Sequence, residues 1–154
     1  MMDVADIPIQ ELLPHGPEMT LIDRLISSEP SRSVGLVDVA PDSMFAYGTG
    51  VPVWVGIEYM AQTIAARAGY EARLRGEAPP IGFLLGTRSF RCSVTQFDFG
   101  TRLRVVVLPL FVELGVGAFD CRIEADGELA AAVVNTYEPD AEMLAGLRTG
   151  GGRP

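Results

Sequence analysis

Residues Val53 to Leu74 constrain the fold more than any other stretch of this chain. They contain no proline, are rich in alanine, and stay apolar on nearly every side until Arg67. That pattern predicts one helix, and an all-round apolar helix is buried on every side. At ~1.5 Å per residue its ~22 residues would span roughly 33 Å, the width of a small domain. Pro52 stands where a first-turn proline belongs. Arg67, Glu71, Arg73 and Arg75 gather toward the far end, and Gly76 stops the helix.

The flanks read differently. Asp6–Leu13 predicts a short helix, with Asp6 as cap and Pro14 as stop. Met19–Ile26 and Ser31–Val39 are strand-like around a Glu29-Pro30-Ser31 turn, and residues 40–50 read as a loop. After Ala78-Pro79-Pro80, strands are predicted over 81–91, 102–112, 116–125 and 128–137, with an Asp126-Gly127 hairpin. Pro109 marks an edge or a bulge. Residues 141–154, ending in a glycine-rich run, read as a flexible tail on a single domain of residues 1–140. Strands before and after one central helix imply an α+β layout, an antiparallel sheet wrapped round that helix.

Composition removes several chemistries. The 154 residues carry 12 basic side chains against 20 acidic, a net charge of −8, and every basic residue is arginine. Without lysine there is no Schiff base and no phosphate-loop lysine. One histidine and two cysteines 29 residues apart, Cys92 and Cys121, make none of the usual zinc sites. The acidic balance argues against nucleic-acid binding. No apolar run reaches ~18 residues, so no membrane span is expected. The default expectation is a cytoplasmic protein whose thiols are reduced and buried.

Two residues carry the functional question. Glu58 lies early in the predicted helix among Trp54, Val55, Ile57, Tyr59 and Met60. Read structurally, it hydrogen-bonds Gln62 one turn on. Read functionally, it is a desolvated carboxylic acid that hands a proton to a leaving group. Helix-start amides around Val53 and Trp54 could hold an oxyanion or a thioester carbonyl. His15, in Leu13-Pro14-His15-Gly16-Pro17, is either a loop residue packed locally or a general base. Trp54, Met60 and Phe83 are candidates for an acyl tunnel or for plain core. Gly82 and Gly86 would mark close backbone approach. The arginine groups, Arg67/Arg73/Arg75 and Arg88/Arg91/Arg102/Arg104, read as solvated charge or as a local docking patch.

Several segments together resemble a known family. Glu11-Leu-Leu-Pro-His15 followed by Leu21-Ile-Asp-Arg24 is similar to the opening of the FabA/FabZ-type 3-hydroxyacyl-acyl-carrier-protein dehydratases. Glu58-Tyr-Met-Ala-Gln62 resembles the Glu-Ala-Met-Ala-Gln of their central helix. Val51–Gln62 and Ile81-Gly-Phe-Leu-Leu-Gly86 look most like the ApeP-like branch of aryl polyene pathways. The resemblance implies the hotdog fold, a curved antiparallel sheet round one long helix, paired as a homodimer or as a heterodimer with another hotdog subunit. It implies dehydration of a 3-hydroxyacyl thioester on acyl carrier protein to the trans-2-enoyl thioester, with no metal and no organic cofactor. Glu58 matches the family's helix carboxylate, and Val53, Trp54, Gln62 and Gly86 become candidate substrate contacts.

One position departs from that pattern. Where the family carries its histidine before the helix, this chain has Met44, in Asp42-Ser-Met-Phe45, and Val53 replaces the usual glycine. Three arrangements then remain open. His15 serves as a relocated base, a partner subunit supplies the base, or the chain only binds an acyl carrier or a partner. Thioester hydrolysis by the same carboxylate is a further enzymatic alternative.

Overall fold

The alanine-rich stretch forms the expected helix. A single 3-10 turn at Val53–Val55 leads into α1, Gly56–Leu74. This is seen in a computed structural model that describes residues 2–140, 142–143 and 145–146. The helix ends at Gly76, where φ is +74°. The Gly76 N–H donates to Arg73 O at 3.0 Å and the Glu77 N–H to Ala72 O at 2.8 Å. Those two bonds satisfy carbonyls that a helix end leaves free, and the positive φ suits glycine.

The described residues form eight strands: β1 Arg24–Glu29, β2 Arg32–Asp38, β3 Gly50–Pro52, β4 Phe83–Cys92, β5 Gln96–Asp98, β6 Arg102–Glu113, β7 Val116–Ala125 and β8 Gly127–Tyr137. Six form one antiparallel sheet in the order β1-β2-β6-β7-β8-β4, and β3 pairs with β5 apart from it. The helix packs on β1, β2, β6, β7 and β8, so the sheet curves round it. This is the hotdog architecture. Among the described residues no helix is long and apolar enough to cross a membrane.

Where the hydrophobic pattern was strong, the strands lie close to the expected bounds. Pro109 is both edge and bulge. β6 has run past the last residue paired with β2, Val107, and its register with β7 shifts between Pro109 and Phe111. Proline costs no ladder bond in such a place. The strands β3 and β5, three residues each, had no room to display an alternating pattern and were not expected.

The N-terminal region departs from expectation. Instead of one helix over Asp6–Leu13 there are single 3-10 turns at Val4–Asp6, Ile9–Glu11 and Pro17–Met19. Prolines at 8, 14 and 17 remove the donors a longer helix needs. The cap is Asp3, whose carboxylate accepts the Ala5 N–H at 3.1 Å, and not Asp6. The strand expected from Met19 begins only at Arg24, because Gln62 on α1 holds the preceding backbone. Its amide oxygen accepts from Leu21 N at 2.8 Å and Ile22 N at 3.4 Å, and its nitrogen donates to Met19 O at 2.8 Å. The expected tail, 141–154, falls mostly outside the described residues. Of it, 142–143 and 145–146 are helical, and the Met143 N–H donates to the Asp140 carboxylate at 2.7 Å.

The seam between helix and surroundings is tight at two glycines. A Cβ on Gly35 of β2 would sit 2.6 Å from Thr63 Oγ1, and one on Gly69 would overlap the Leu12 carbonyl. Thr63 is fully buried and donates back to Tyr59 O at 2.8 Å, so it cannot turn aside without losing that bond. Arg67, expected in solvent, is buried in this seam. It donates to Pro30 O at 3.1 Å, pairs with Glu71 at 3.0 Å and lies 5.8 Å from the Phe119 ring centroid. A Gly69→Ala variant is expected to lose about 2 kcal/mol, in the range for overpacking against fixed atoms. The check is a lower urea midpoint at unchanged slope. An unaltered midpoint would mean that the helix has room to move.

Candidate active site

The fourth side of α1 is not packed on the sheet. Glu58, Ala61, Ala65 and Ala68 follow one another at helical spacing and floor a cavity of about 320 Å³. Its walls come from Phe83 and Leu84 at the start of β4 and from Thr136, Tyr137 and Glu138 at the end of β8. His15 and Met19 close the N-terminal side. The expectation of a helix buried on all sides is therefore corrected. Val55, Tyr59 and Met60 face the core, whereas the alanine stripe faces the cavity.

Glu58 is correspondingly exposed in the single chain, not sunk among its apolar neighbours. The neighbours that suggested burial lie on the other faces of the helix. Its expected hydrogen bond to Gln62 does not form, since the Gln62 amide is fully engaged with residues 19–22. Gln62 thus ties the segment that follows His15 to α1, one turn beyond Glu58.

His15 lies in the loop before the Pro17–Met19 turn and is partly buried. Its Nε2 is shielded from solvent and makes no hydrogen bond among the described residues. The fold brings His15 and Glu58, 43 residues apart in sequence, to one cavity.

The other candidates scatter. The Val53 amide already donates to Thr95 O at 3.0 Å, so it is not free for an oxyanion. The amides of Trp54 and Val55 remain at the helix entry. The Trp54 side chain is exposed and meets Phe45 edge-on at 5.6 Å, outside the cavity. Met60 is core, and Phe83 does line the cavity. Gly86 lies outside it with nothing within 4 Å of a built Cβ, and Gly82 meets only Tyr137 O at 3.8 Å. Neither marks a close approach within this chain. Cys92 is exposed, against expectation, because it lies at the end of the outermost strand. Cys121 is buried, and desolvation pushes its thiol up to about 12.

Sequence reading missed the β8 end of the cavity. Glu138 is exposed there in the single chain, yet partial desolvation raises its carboxyl above the usual range, opposed by Arg75 and assisted by Glu71. No local pattern announces a residue that joins a site only through strand pairing. The alanines at 61, 65 and 68 did carry a signal, a small-residue stripe on one helix face.

A family model described as ApeP-like, ApeP dehydratase, matches residues 7–147. The 3-hydroxyacyl-acyl-carrier-protein dehydratase FabZ of Jannaschia sp. is 37% identical over 134 residues, spanning 82% of this chain and 83% of its own length. One solved structure, the dehydratase heterocomplex ApeI:P from Xenorhabdus doucetiae, matches with a TM-score of 0.85 at 32% identity, covering 92% of this chain and 97% of that one. A hypothetical thioesterase protein of Streptococcus pneumoniae, solved with coenzyme A, matches with a TM-score of 0.58 at 10% identity, over 75% of this chain and 84% of that one. That last likeness is one of fold alone. The chain belongs to the ApeP-like dehydratase family.

Proposed function

We propose that the cavity between His15 and Glu58 is where this dehydratase removes water from a 3-hydroxyacyl thioester carried on acyl carrier protein. The observation that carries the reading is that the only histidine of the chain and the helix carboxylate line one apolar cavity. The acyl chain lies along the alanine stripe. The thioester carbonyl meets the Trp54 and Val55 amides at the helix entry, where partial positive charge gathers. An imidazole nitrogen of His15 takes the C2 proton. Glu58, protonated, gives its proton to the C3 hydroxyl as the C3–O bond breaks. Water leaves and the C2–C3 double bond remains. Afterwards the proton on His15 returns to Glu58, directly or through water.

A second reading is that a partner hotdog subunit supplies the base. Three considerations favour it. By the sequence resemblance, Met44 stands where the family carries its histidine. The related solved structure is a heterocomplex. The outer strand β4 has no partner on its free side among the described residues, and it exposes Phe83, Leu84 and Leu85. An open apolar edge of this kind is ordinarily covered by another chain. Arg88, also on β4, makes no ion pair among the described residues, whereas Arg91 reaches Glu128 at 4.0 Å. Arg88 is the better candidate for attracting an acidic carrier.

Glu58→Gln is expected to lower dehydration by about 100-fold or more, the usual weight of a general acid. Its urea midpoint should stay put, because the carboxylate is exposed. Full activity in this variant would overturn the assignment. His15→Ala divides the two readings. If His15 is the base, the purified chain dehydrates alone and the variant does not. If the base comes from a partner, the chain alone is inactive and a second hotdog chain rescues the wild type and the His15 variant equally.

A further inference from the structure

The β6–β7 hairpin reaches beyond the strands that flank it on one side. β2 pairs with β6 only as far as Val107, so residues 108–113 have no neighbour on that side among the described residues. On its other side the hairpin is anchored. β7 pairs with β8 through Val116 and Tyr137, and the Glu138 N–H donates to Gly115 O at 2.8 Å. The result is a fixed two-stranded arm with one open edge.

The arm is apolar on both faces. Phe111 and Val112 point to opposite sides, as successive strand residues do, and they are 50% and 56% exposed. Leu110 and Val116 are exposed as well, and Leu114 at the tip is 99% exposed. Leu114 also takes φ +51°, a left-handed conformation that is unfavourable for leucine and suits glycine or asparagine. Nothing among the described residues offsets either the exposure or the backbone. The five side chains present on the order of 500 Å² of apolar surface, at ~180 Å² for each when fully exposed.

Two further features say what covers the arm. Glu113 is the only charged residue from 108 to 119, in a chain of net charge −8. Two copies repel each other over most of their surface, and at the arm that repulsion is least. The open edge is also self-complementary. Two such edges can run antiparallel across a two-fold axis, each meeting the other's free main-chain donors and acceptors. Paired arms would bury about 1,000 Å² of apolar surface, the size at which a contact becomes specific. We propose that a second copy of this chain covers the arm, edge to edge along residues 110–113, with Phe111 and Leu114 of each copy packed against the other. This contact is separate from the β4 edge, which stays available to a hotdog partner.

Sedimentation equilibrium of the full chain carrying Leu85→Asp isolates the arm, because a charge on the β4 edge blocks pairing there. A reversible monomer–dimer equilibrium is expected at concentrations up to about 100 µM. Phe111→Asp should weaken it by about 100-fold, since a symmetric contact loses the side chain twice. Leu114→Asn should weaken it by about tenfold. It should not lower the urea midpoint, because asparagine tolerates the left-handed backbone. A chain that stays monomeric throughout would overturn the proposal and leave the arm to a different subunit. So would dimerisation that persists unchanged in both arm variants. Weakening by Phe111→Asp alone, with a lowered urea midpoint, would overturn it as well, because that is an effect on folding.

Discussion

The close seat of α1 on the rest of the chain is the contact on which everything else rests. Gly35 lets β2 press against Thr63, and Gly69 lets the Leu12 carbonyl lie against the helix backbone. A helix held this near can be wrapped by five strands of one sheet and still leave one side uncovered. The second contact also fixes the N-terminal segment. Leu12 at one end and the Gln62 hydrogen bonds at the other bracket residues 13–18. His15 lies inside that bracket, so its place beside α1 follows from packing and from main-chain bonds, with no hydrogen bond to its Nε2 among the described residues.

Much of this was legible in the residues. The helix showed itself through missing prolines and an apolar character that no surface helix tolerates. Its stop showed itself in Gly76. The hairpin at Asp126-Gly127 and the irregularity at Pro109 were written in single residues, because both depend on local backbone chemistry. The other hairpin was hidden. Leu114 and Gly115 both take positive φ, +51° and +81°, a conformation that leucine gives no reason to expect. The N-terminal turns were misread because prolines that suit the first turn of a helix also suit a series of broken ones.

The site was less legible than the fold, for a reason visible at Glu58. Apolar neighbours in sequence were taken to mean apolar surroundings. On a helix, successive residues are turned by about 100°, so Tyr59 and Met60 can be core while Glu58 faces an opening. Tyr59 shows the same geometry from its other side. It is adjacent in sequence to the carboxylate of one cavity and itself lines a different recess of about 350 Å³, beside Asp23 and Asp42. The contributions of β8 depend on strand order, which no short window of sequence contains.

The floor of the cavity beside Glu58 carries the methyl groups of Ala61, Ala65 and Ala68; Ala61 and Ala68 stand clear of the core behind the helix, while Ala65 also packs against it. The fold therefore separates two functions that many enzymes must satisfy with the same atoms. Side chains that hold α1 on the sheet point one way, and side chains that set the depth of the cavity point the other. A larger residue at 61 or 68 would reduce the volume of the cavity and leave the packed seam as it is. A lineage of such proteins could thus change the depth of this cavity by single replacements, without first acquiring extra stability to absorb them.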